Sequence, residues 1–308
     1  MTKAPGHPAG VRSMTESEYL AKVLEAQTLP PGGDEISALQ SHRQDVESLL
    51  RKAFGSSPTI RYGGSMAKGT MIRESYDLDI LCYFPRDDED AGGTLIDIYE
   101  SVEGALEAEY QVQPKTSAIR ILAPEGDADF HIDVVPGRFV DGEDGDVFLY
   151  QAEGEKERLK TNIDVHVAHV KNSGVIPAIR LMKFWVVLQD VGIKTFVLEL
   201  LVIDLLKSKR KLTLPDQLRY VLTQFRDAAE SLRAEDPANP QGNDLSDALD
   251  SVRLALSQAA GNSLAQLERS GWSAIFGNIN AEDEAWKTVA IRSIVESAEV
   301  RPKPYCDG

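Results

Sequence analysis

The stretch Gly63-Gly64-Ser65-Met66-Ala67-Lys68-Gly69-Thr70, followed by Asp77-Leu78-Asp79, decides the fold of this chain. The pair Gly64-Ser65 is typical of a turn whose backbone N–H groups bind phosphate. The residues from Asp77 to Cys82 have a strand pattern, in which positions two apart point the same way. Two carboxylates are therefore expected side by side, shortly after the turn. This arrangement suits Mg²⁺ bound to a nucleoside triphosphate. An acidic edge strand without chemistry is the alternative.

The composition limits the classes of protein to which the chain can belong. Its 308 residues are long for one hydrophobic core and comfortable for two lobes. No apolar run reaches the length of a membrane span, and the N-terminus lacks the apolar core of a signal peptide, so we expect a cytoplasmic protein without a membrane partner. Because the net charge is −16 and nucleic-acid binding needs a basic face, we do not expect a nucleic-acid partner. Cys82 lies in a predicted core strand and Cys306 in the tail, so no structural disulfide is expected.

The hydrophobic pattern divides the chain into a mixed α/β part and a helical part. In the first part we expect helices over residues 15–26, 34–54 and 95–110, and strands over 59–62, 76–82, 117–123 and 128–135. From about Lys156 the pattern indicates helices, over residues 177–189, 194–209, 214–234, 245–259 and 282–299. We assign residues 1–165 to a core lobe with N-terminal helices, 166–300 to a helical domain and 301–308 to a flexible tail.

A third carboxylate comes from the strand predicted over residues 128–135. Ile132 and Val134 take one face of this strand, and Asp133 takes the other face with Asp129 and His131. Two-metal phosphoryl transfer needs at least three carboxylates on rigid elements. If this strand neighbours the first acidic strand, one carboxylate face forms. Taken alone, Asp133 is equally consistent with a solvated sheet face.

Two cations interrupt a largely apolar helix in the second part of the chain. Arg180 and Lys183 are three residues apart and share one side of this helix. Because their burial without anions would be costly, either phosphates or carboxylates must accompany them, and Glu199 is the internal candidate. Thr195 lies near a helix N-terminus, where a hydroxyl and free N–H groups suit phosphate. Ordinary helix capping is the alternative for Thr195.

Three further features have weaker signals. The acidic loop around Asp87 is expected to be solvated rather than metal-binding. The basic cluster at residues 207–211 is expected to be a solvated helix end, with a nucleic-acid sensor as the sharper alternative. His166 and His169 could share a helical face, but no Cys or carboxylate set completes a zinc site. We therefore interpret them as surface histidines.

Together these motifs resemble the DNA polymerase β-like nucleotidyltransferase superfamily. More narrowly, the chain resembles the bacterial cGAS/DncV-like nucleotidyltransferases (CD-NTases), relatives of 2′-5′-oligoadenylate synthetase. The resemblance covers most of the chain. In the core lobe it is carried by Gly64-Ser65, eleven further residues, Asp77-x-Asp79 and the later segment Phe130–Pro136. In the helical part it is carried by the segments Ile179–Trp185, Lys194–Leu201 and Asp236–Asn243.

The resemblance implies an α+β fold, with a polymerase β-like mixed-sheet core lobe and an α-helical, oligoadenylate synthetase-like lobe. It places the active site in the cleft between the lobes. It implies that the acids form a catalytic site for two Mg²⁺ ions, for which Mn²⁺ could substitute, and that other residues bind nucleotide. The implied metal ligands are Asp77, Asp79 and Asp133, and the implied nucleotide contacts are Gly64, Ser65, Lys183, Thr195, Arg180 and Asn243.

The resemblance further implies that NTPs, ATP among them, are condensed into a cyclic di- or trinucleotide with release of pyrophosphate. This second messenger would activate an effector protein in bacterial anti-phage (CBASS) defence. In part of the family a ubiquitin-transfer-like accessory enzyme conjugates the C-terminus, here Gly308, and a plain tail is the alternative. Two rival functions stay open. One is transfer to another acceptor, such as RNA, a protein or a small molecule, and the other is an inactive nucleotide-binding scaffold.

Overall fold

The computed structural model describes residues 14–75, 77–122, 131–153 and 156–278. The α/β part consists of α1 (Glu16–Ala26), α2 (Asp34–Phe54), β1 (Thr59–Tyr62), α3 (Gly64–Lys68), β2 (Leu78–Phe84), α4 (Leu95–Glu107), β3 (Val112–Pro114), β4 (Ile119–Leu122), β5 (His131–Phe139), β6 (Val147–Tyr150) and β7 (Arg158–Thr161). The helical part consists of α5 (Ile163–Lys171), α6 (Ile176–Leu188), α7 (Thr195–Leu206), α8 (Leu214–Asp227), a 3₁₀ helix (Ala229–Ser231), α9 (Ser246–Asp250), α10 (Arg253–Ser270) and α11 (Ser273–Phe276).

Within the described residues, the strands form one mixed sheet of seven strands. Their order is β1-β2-β5-β4-β3, and β6 pairs with the end of β5 and with β7. Among the described strands, β2 and β5 pair in parallel and the other pairs are antiparallel. In the parallel pair, Asp79 lies opposite Asp133. The two acidic strands are therefore neighbours, as a shared carboxylate face requires.

Alternation along β2 and β5 separates a wholly apolar face from one that carries acids near its start and a small apolar cluster further along. Ile80, Ile132 and Val134 are buried in a core that also contains apolar residues of α2 and α4. Asp79 and Asp133 alternate with these residues, so they belong to the opposite face. The sheet therefore presents its acids on the side that α2 and α4 do not cover.

The helical part has its own core, built around α6, α7, α8 and α10. It includes the fully buried Trp185, whose indole N–H donates to Ser263 Oγ at 2.9 Å. Leu20 and Val23 of α1 belong to this core, although α1 comes first in the chain. Because α2 packs on the sheet instead, the two N-terminal helices are divided between the two cores. The boundary predicted between residues 165 and 166 falls inside α5.

Some predicted elements have the observed bounds and others are wrong. The bounds of α2 and β1 are as predicted. The helical prediction from Lys156 is wrong at β7, because pairing with β6 holds this short polar segment as a strand. The helices predicted over 214–234 and 245–259 are also wrong in length, since the first ends at Asp227 and the second is divided near residue 251. The helix predicted over 282–299 lies outside the described residues.

The fold can be compared with two expectations from composition. Within the described ranges, the structure contains no helix that is both long and apolar enough to cross a membrane. Cys82 is a free, buried thiol in β2, and burial raises its pKa to about 12. At neutral pH this thiol is therefore protonated and packs as an apolar core residue. Cys306 lies outside the described residues.

Gly137 and Gly104 provide a matched test of sheet packing. A Cβ at Gly137 would lie 2.7 Å from Val147 Cγ1 and 2.8 Å from Leu149 Cδ2. We expect Gly137→Ala to lower the free energy of unfolding by about 1–3 kcal/mol, because the methyl group overpacks a filled contact. At Gly104, in α4, a Cβ meets nothing within 4 Å, so Gly104→Ala should raise it by about 0.5–1 kcal/mol. Urea unfolding measures both, and equal effects would contradict the close packing at Gly137.

Candidate active site

The glycine turn, by which we mean residues 63–70, packs against β2, the first acidic strand. The Gly63 N–H donates to the Asp79 carbonyl at 2.9 Å, and α3 begins at the next residue. Gly64 has a φ of +50°, and a Cβ there would lie 1.5 Å from Asp79 Oδ2. Any other residue would therefore collide with this carboxylate. The turn and the Asp79 side chain form one unit, in which the backbone at the start of α3 lies beside a carboxylate.

The third carboxylate, Asp133, is bound by an arginine on the neighbouring strand. Arg120 in β4 lies opposite Asp133, and its Nε and Nη2 donate to the two carboxylate oxygens at 2.8 Å each. These hydrogen bonds raise the pKa of Arg120 against the opposing effect of burial, and the charges of Asp77 and Asp79 add to the rise. Arg120 is therefore an electrostatic neighbour of all three acids. Sequence analysis missed it, although the alternation Ile119-Arg120-Ile121 already placed its side chain on the polar face.

The acids share a face of the sheet, but they do not close around a single point. In the part of the chain that the structure describes, no three His, Cys, Asp or Glu side chains converge closely enough to hold a metal ion. Arg120 takes one hydrogen-bonding position on each oxygen of Asp133, and a carboxylate has about four such positions. Carboxylate oxygens are the ligands that Mg²⁺ prefers, and Asp79 and Asp133 are in register. The donors fit Mg²⁺, and each Asp133 oxygen keeps acceptor capacity beside its hydrogen bond from Arg120.

Lys183 lies in α6, at the junction with the glycine turn. Its Nζ donates to the Thr70 carbonyl at 3.0 Å, and the residue is 5% exposed. Burial lowers the pKa of Lys183 to about 8, Lys68 acts in the same direction, and Glu199, Asp77 and Asp79 oppose the shift. The ammonium group is therefore within electrostatic reach of the acidic pair, as a triphosphate-binding cation must be.

A buried ion pair joins the glycine turn to the helical lobe, and sequence analysis did not assign it. Lys68 Nζ donates to Glu199 Oε2, and Thr70 Oγ1 donates to Glu199 Oε1, both at 2.5 Å. Glu199 is fully buried and Lys68 is 6% exposed. The alternative that Glu199 directly accompanies Arg180 or Lys183 is not realised as a hydrogen bond. Lys68, at the end of α3, and Thr70, two residues later, take both Glu199 oxygens.

Thr195 is the first residue of α7 and is exposed. Lys194 is the N-cap residue, and no side chain caps this end of α7 in the described structure. The capping alternative for Thr195 is therefore not realised. Its hydroxyl lies at an accessible helix N-terminus, where an anion is stabilised by the helix dipole.

Arg180 and Asn243 have partners elsewhere in the fold. Arg180 Nη2 donates to the Gln27 carbonyl at 3.0 Å, and its Nε donates to the Met71 carbonyl at 3.2 Å. This guanidinium group therefore ties the end of α1 to the loop after the glycine turn. Asn243 Nδ2 donates to Asp236 Oδ2 at 2.7 Å. Both side chains have structural partners here, and their nucleotide contacts stay predictions.

The interpretation of His166 as a surface histidine is wrong. Its Nε2 lies 2.7 Å from Asp236 Oδ1, its side chain is 12% exposed, and its ring packs on Phe196 at 4.7 Å. Hydrogen bonds from His166 and Asn243 lower the pKa of Asp236, although burial acts in the opposite direction. The prediction failed because the buried acid comes from a loop 70 residues away, which helical spacing around His166 cannot indicate.

The acidic loop and the basic cluster are solvated, as expected. Asp87 is exposed, and neighbouring Arg86 pairs with exposed Asp141 at 2.9 Å. Lys207, the C-cap of α7, is exposed, as is Lys211. These charges therefore lie at the surface rather than around the three acids.

Comparison with known proteins agrees with this geometry. Residues 43–167 match the model of the nucleotidyltransferase domain family. A search of curated protein sequences found no significant match. Among solved structures, Escherichia coli MS115-1 CdnC, in its complex with HORMA-deltaN, is 20% identical with a TM-score of 0.64, over 85% of this chain and 97% of CdnC.

Two further solved structures show the same likeness. The Bradyrhizobium diazoefficiens CD-NTase CdnG, in complex with GTP, is 14% identical with a TM-score of 0.63, over 92% of this chain and 99% of that one. Vibrio cholerae DncV cyclic AMP-GMP synthase, with the linear intermediate 5′ pppA(3′,5′)pG, is 17% identical with a TM-score of 0.55, over 85% and 84%. The predicted fold, a polymerase β-like nucleotidyltransferase core with a helical lobe as in the CD-NTases, is confirmed.

The contact between Gly64 and Asp79 can be tested by a single methyl group. We expect Gly64→Ala to reduce nucleotidyl transfer by about 100-fold, because the Cβ must displace the carboxylate by more than 1 Å. Gly69→Ala is the control, since Gly69 also has a positive φ, +75°, but a Cβ there meets nothing within 4 Å. Pyrophosphate release and circular dichroism of both variants measure activity and folding. Equal activity of the two variants would show that the Asp79 contact is unimportant.

Proposed function

We propose that this nucleotidyltransferase is a cyclic oligonucleotide synthase, which condenses NTPs, ATP among them, into a cyclic di- or trinucleotide. The observation that carries the proposal is the glycine turn packed on Asp79, with Asp133 in register on the adjacent strand. The same fold occurs in DncV, which is described as a cyclic AMP-GMP synthase. Nucleotide substrates are also supported by the ATP in a CdnC structure and the GTP in the CdnG structure.

In this proposal the sheet binds metal and the surrounding elements bind the donor nucleotide. Asp77, Asp79 and Asp133 would hold Mg²⁺, or Mn²⁺ in its place, which when bound neutralises phosphate charge and favours the attacking hydroxylate. The backbone at Gly64-Ser65 would contact the triphosphate. Lys183 would neutralise part of its charge from α6, and Thr195 would contribute its hydroxyl from the start of α7.

The acceptor would approach from the side of Asp133, which lies on a strand separate from the other two acids. This carboxylate would orient a 2′- or 3′-hydroxyl and help to remove its proton. The hydroxyl oxygen forms a bond to the α-phosphorus, and the bond from that phosphorus to the pyrophosphate oxygen breaks. Repetition at the other end of the linear product closes the ring.

The biological setting belongs to the same proposal. The product would act as a second messenger that activates an effector protein in anti-phage (CBASS) defence, inside a bacterial cytoplasm. A ubiquitin-transfer-like accessory enzyme would act on Gly308, which lies outside the described residues. CdnC forms a complex with HORMA-deltaN, so a regulatory protein partner is a further proposal for this chain.

The acidic pair provides the direct test of the reaction. We expect Asp77→Asn/Asp79→Asn to lose all oligonucleotide product from a mixture of the four NTPs, because the remaining carboxylate cannot hold the metal alone. The control is Asp87→Asn/Glu89→Gln, which removes two exposed charges from the acidic loop and should leave the yield unchanged. Chromatography with nuclease mapping identifies the product. Full activity of Asp77→Asn/Asp79→Asn would refute the site. If the wild-type enzyme releases pyrophosphate only when another acceptor is added, the rival function, transfer to that acceptor, is favoured.

The pKa of Lys183 predicts a pH dependence of donor binding. Lys183 must hold its proton to bind phosphate, and its pKa falls from 10.5 to about 8 in the folded protein. Affinity for a Mg²⁺–ATP analogue should therefore decrease above about pH 8, by up to about tenfold per pH unit. From about pH 8 to 10.5 the folded chain releases this proton while the unfolded chain still binds it, so the cost of burying the ammonium group is relieved and the free energy of unfolding rises with pH. Titration calorimetry from pH 6.5 to 9 measures the affinity. Lys183→Met should bind weakly without this decrease, and identical profiles would contradict the assignment.

A further inference from the structure

Glu199 occupies a position that the reaction itself does not explain. It lies in α7, carries both of its oxygens into the end of the glycine turn, and is completely buried. Removing a carboxylate and an ammonium group from water costs several kcal/mol per ion, and apolar residues of similar volume often stabilise a core equally well. Stability alone therefore does not explain this ion pair. A requirement to hold particular groups in place would explain it.

The groups that Glu199 holds are connected to the proposed donor site. Thr70 uses its hydroxyl to donate to Glu199 and its carbonyl to accept from Lys183. One residue thus joins the carboxylate to the phosphate-binding cation. An ammonium group has three donors, and the described structure gives Lys183 one hydrogen-bond partner, the Thr70 carbonyl. The arrangement directs Lys183 while two of its donors remain for a ligand.

Lys68 provides the second attachment. Its Nζ contacts Glu199 at 2.5 Å and lies 5.4 Å from the centre of the Phe196 ring, one residue after Thr195. Lys68 also ends α3, the helix that begins at the Asp79 contact. The ion pair therefore fixes α3 at its end to the start of α7. These few contacts join the turn to Lys183, and the Phe196 contact brings Lys68 to the residue that follows Thr195.

We propose that Glu199, Lys68 and Thr70 form an interlobe clamp, whose role is to position Lys183 and the glycine turn for the donor triphosphate. This inference rests on the proposed function, because it assumes that Lys183 binds the triphosphate. Glu199 is a positioning residue here, since both of its oxygens accept hydrogen bonds from Lys68 and Thr70. The clamp also has an electrostatic part. Glu199, with Asp77 and Asp79, favours the charged form of Lys183, while burial and Lys68 disfavour it.

The clamp is tested by replacing the ion pair with side chains of similar shape. Lys68→Met/Glu199→Gln removes both charges of the ion pair together, so neither Lys68 nor Glu199 is left as an unpaired charge in the core. We expect the dissociation constant of α,β-methylene-ATP with Mg²⁺ to rise by about 10–100-fold at pH 7.5. The deficit should be smaller at pH 6.5, where Lys183 regains its proton. Titration calorimetry at pH 6.5, 7.5 and 8.5 provides these values, with thermal unfolding measured in parallel.

Two variants of Thr70 test its hydrogen bond to Glu199 without changing the charges of Lys68 and Glu199. Thr70→Ser keeps the hydroxyl and should bind the analogue as the wild type does. Thr70→Val keeps the shape and loses the donor to Glu199, so its binding should be weaker. If both Thr70 variants and the double variant bind with the wild-type constant at all three pH values, the clamp is refuted, whatever their thermal stability.

Two controls separate the possible failures. Arg253→Met breaks an ion pair with Asp250 and buried carbonyl contacts in the helical lobe, and it should lower thermal stability without changing analogue affinity. Lys183→Met tests the proposed function itself. Undiminished binding by Lys183→Met would refute the triphosphate site. Loss of binding by Lys183→Met, with normal binding by the ion-pair variant, would refute the clamp alone.

Discussion

The site depends on the absence of one side chain, at Gly64. The Asp79 carboxylate occupies the space that a Cβ would fill, and the φ of +50° is one that other residues rarely adopt. Since the Gly63 N–H also binds the Asp79 carbonyl, the turn and the strand have one fixed relative position. A phosphate bound by the turn and a metal bound by the carboxylate would then be adjacent without further adjustment. The constraint is steric, and it links the two parts of the chemistry through the backbone.

The charges around this contact are balanced by pairs. Arg120 neutralises Asp133 within the sheet, and Lys68 neutralises Glu199 at the lobe junction. Lys183 hydrogen-bonds to a neutral carbonyl instead, and burial weakens its hold on its proton. An incoming anion would therefore interact more strongly with Lys183 than with Arg120 or Lys68, each of which is already hydrogen-bonded to a carboxylate. Glu199, Asp77 and Asp79 offset only part of the desolvation of Lys183, so further negative charge would stabilise its ammonium group, which favours a charged ligand over a neutral one.

The sequence predicted those parts of the structure that depend on local pattern. The α2 and β1 bounds, the acidic strand and the apolar helices follow from period, caps and turn residues, and the glycine turn with its two acids follows from spacing. The contacts of Arg120, Glu199 and His166 could not be predicted in the same way. Each joins residues that only the sheet register or the lobe packing brings together, and Glu199 lies 131 residues from Lys68. The short polar strand β7 was missed because its partner, rather than its own sequence, makes it a strand.

The overall acidity of the chain makes these local cations more important. A net charge of −16 repels nucleoside triphosphates at long range, and salt screens that repulsion over about 8–10 Å. The affinity for an anion must therefore come from nearby cations, because charges that are close together and buried are poorly screened by salt. In the proposed reaction the metal would accompany the substrate and lower its charge, and Lys183 would neutralise part of the remainder. Such a site would select ligands that bring their own cation, so the proposed triphosphate substrate is compatible with an acidic surface.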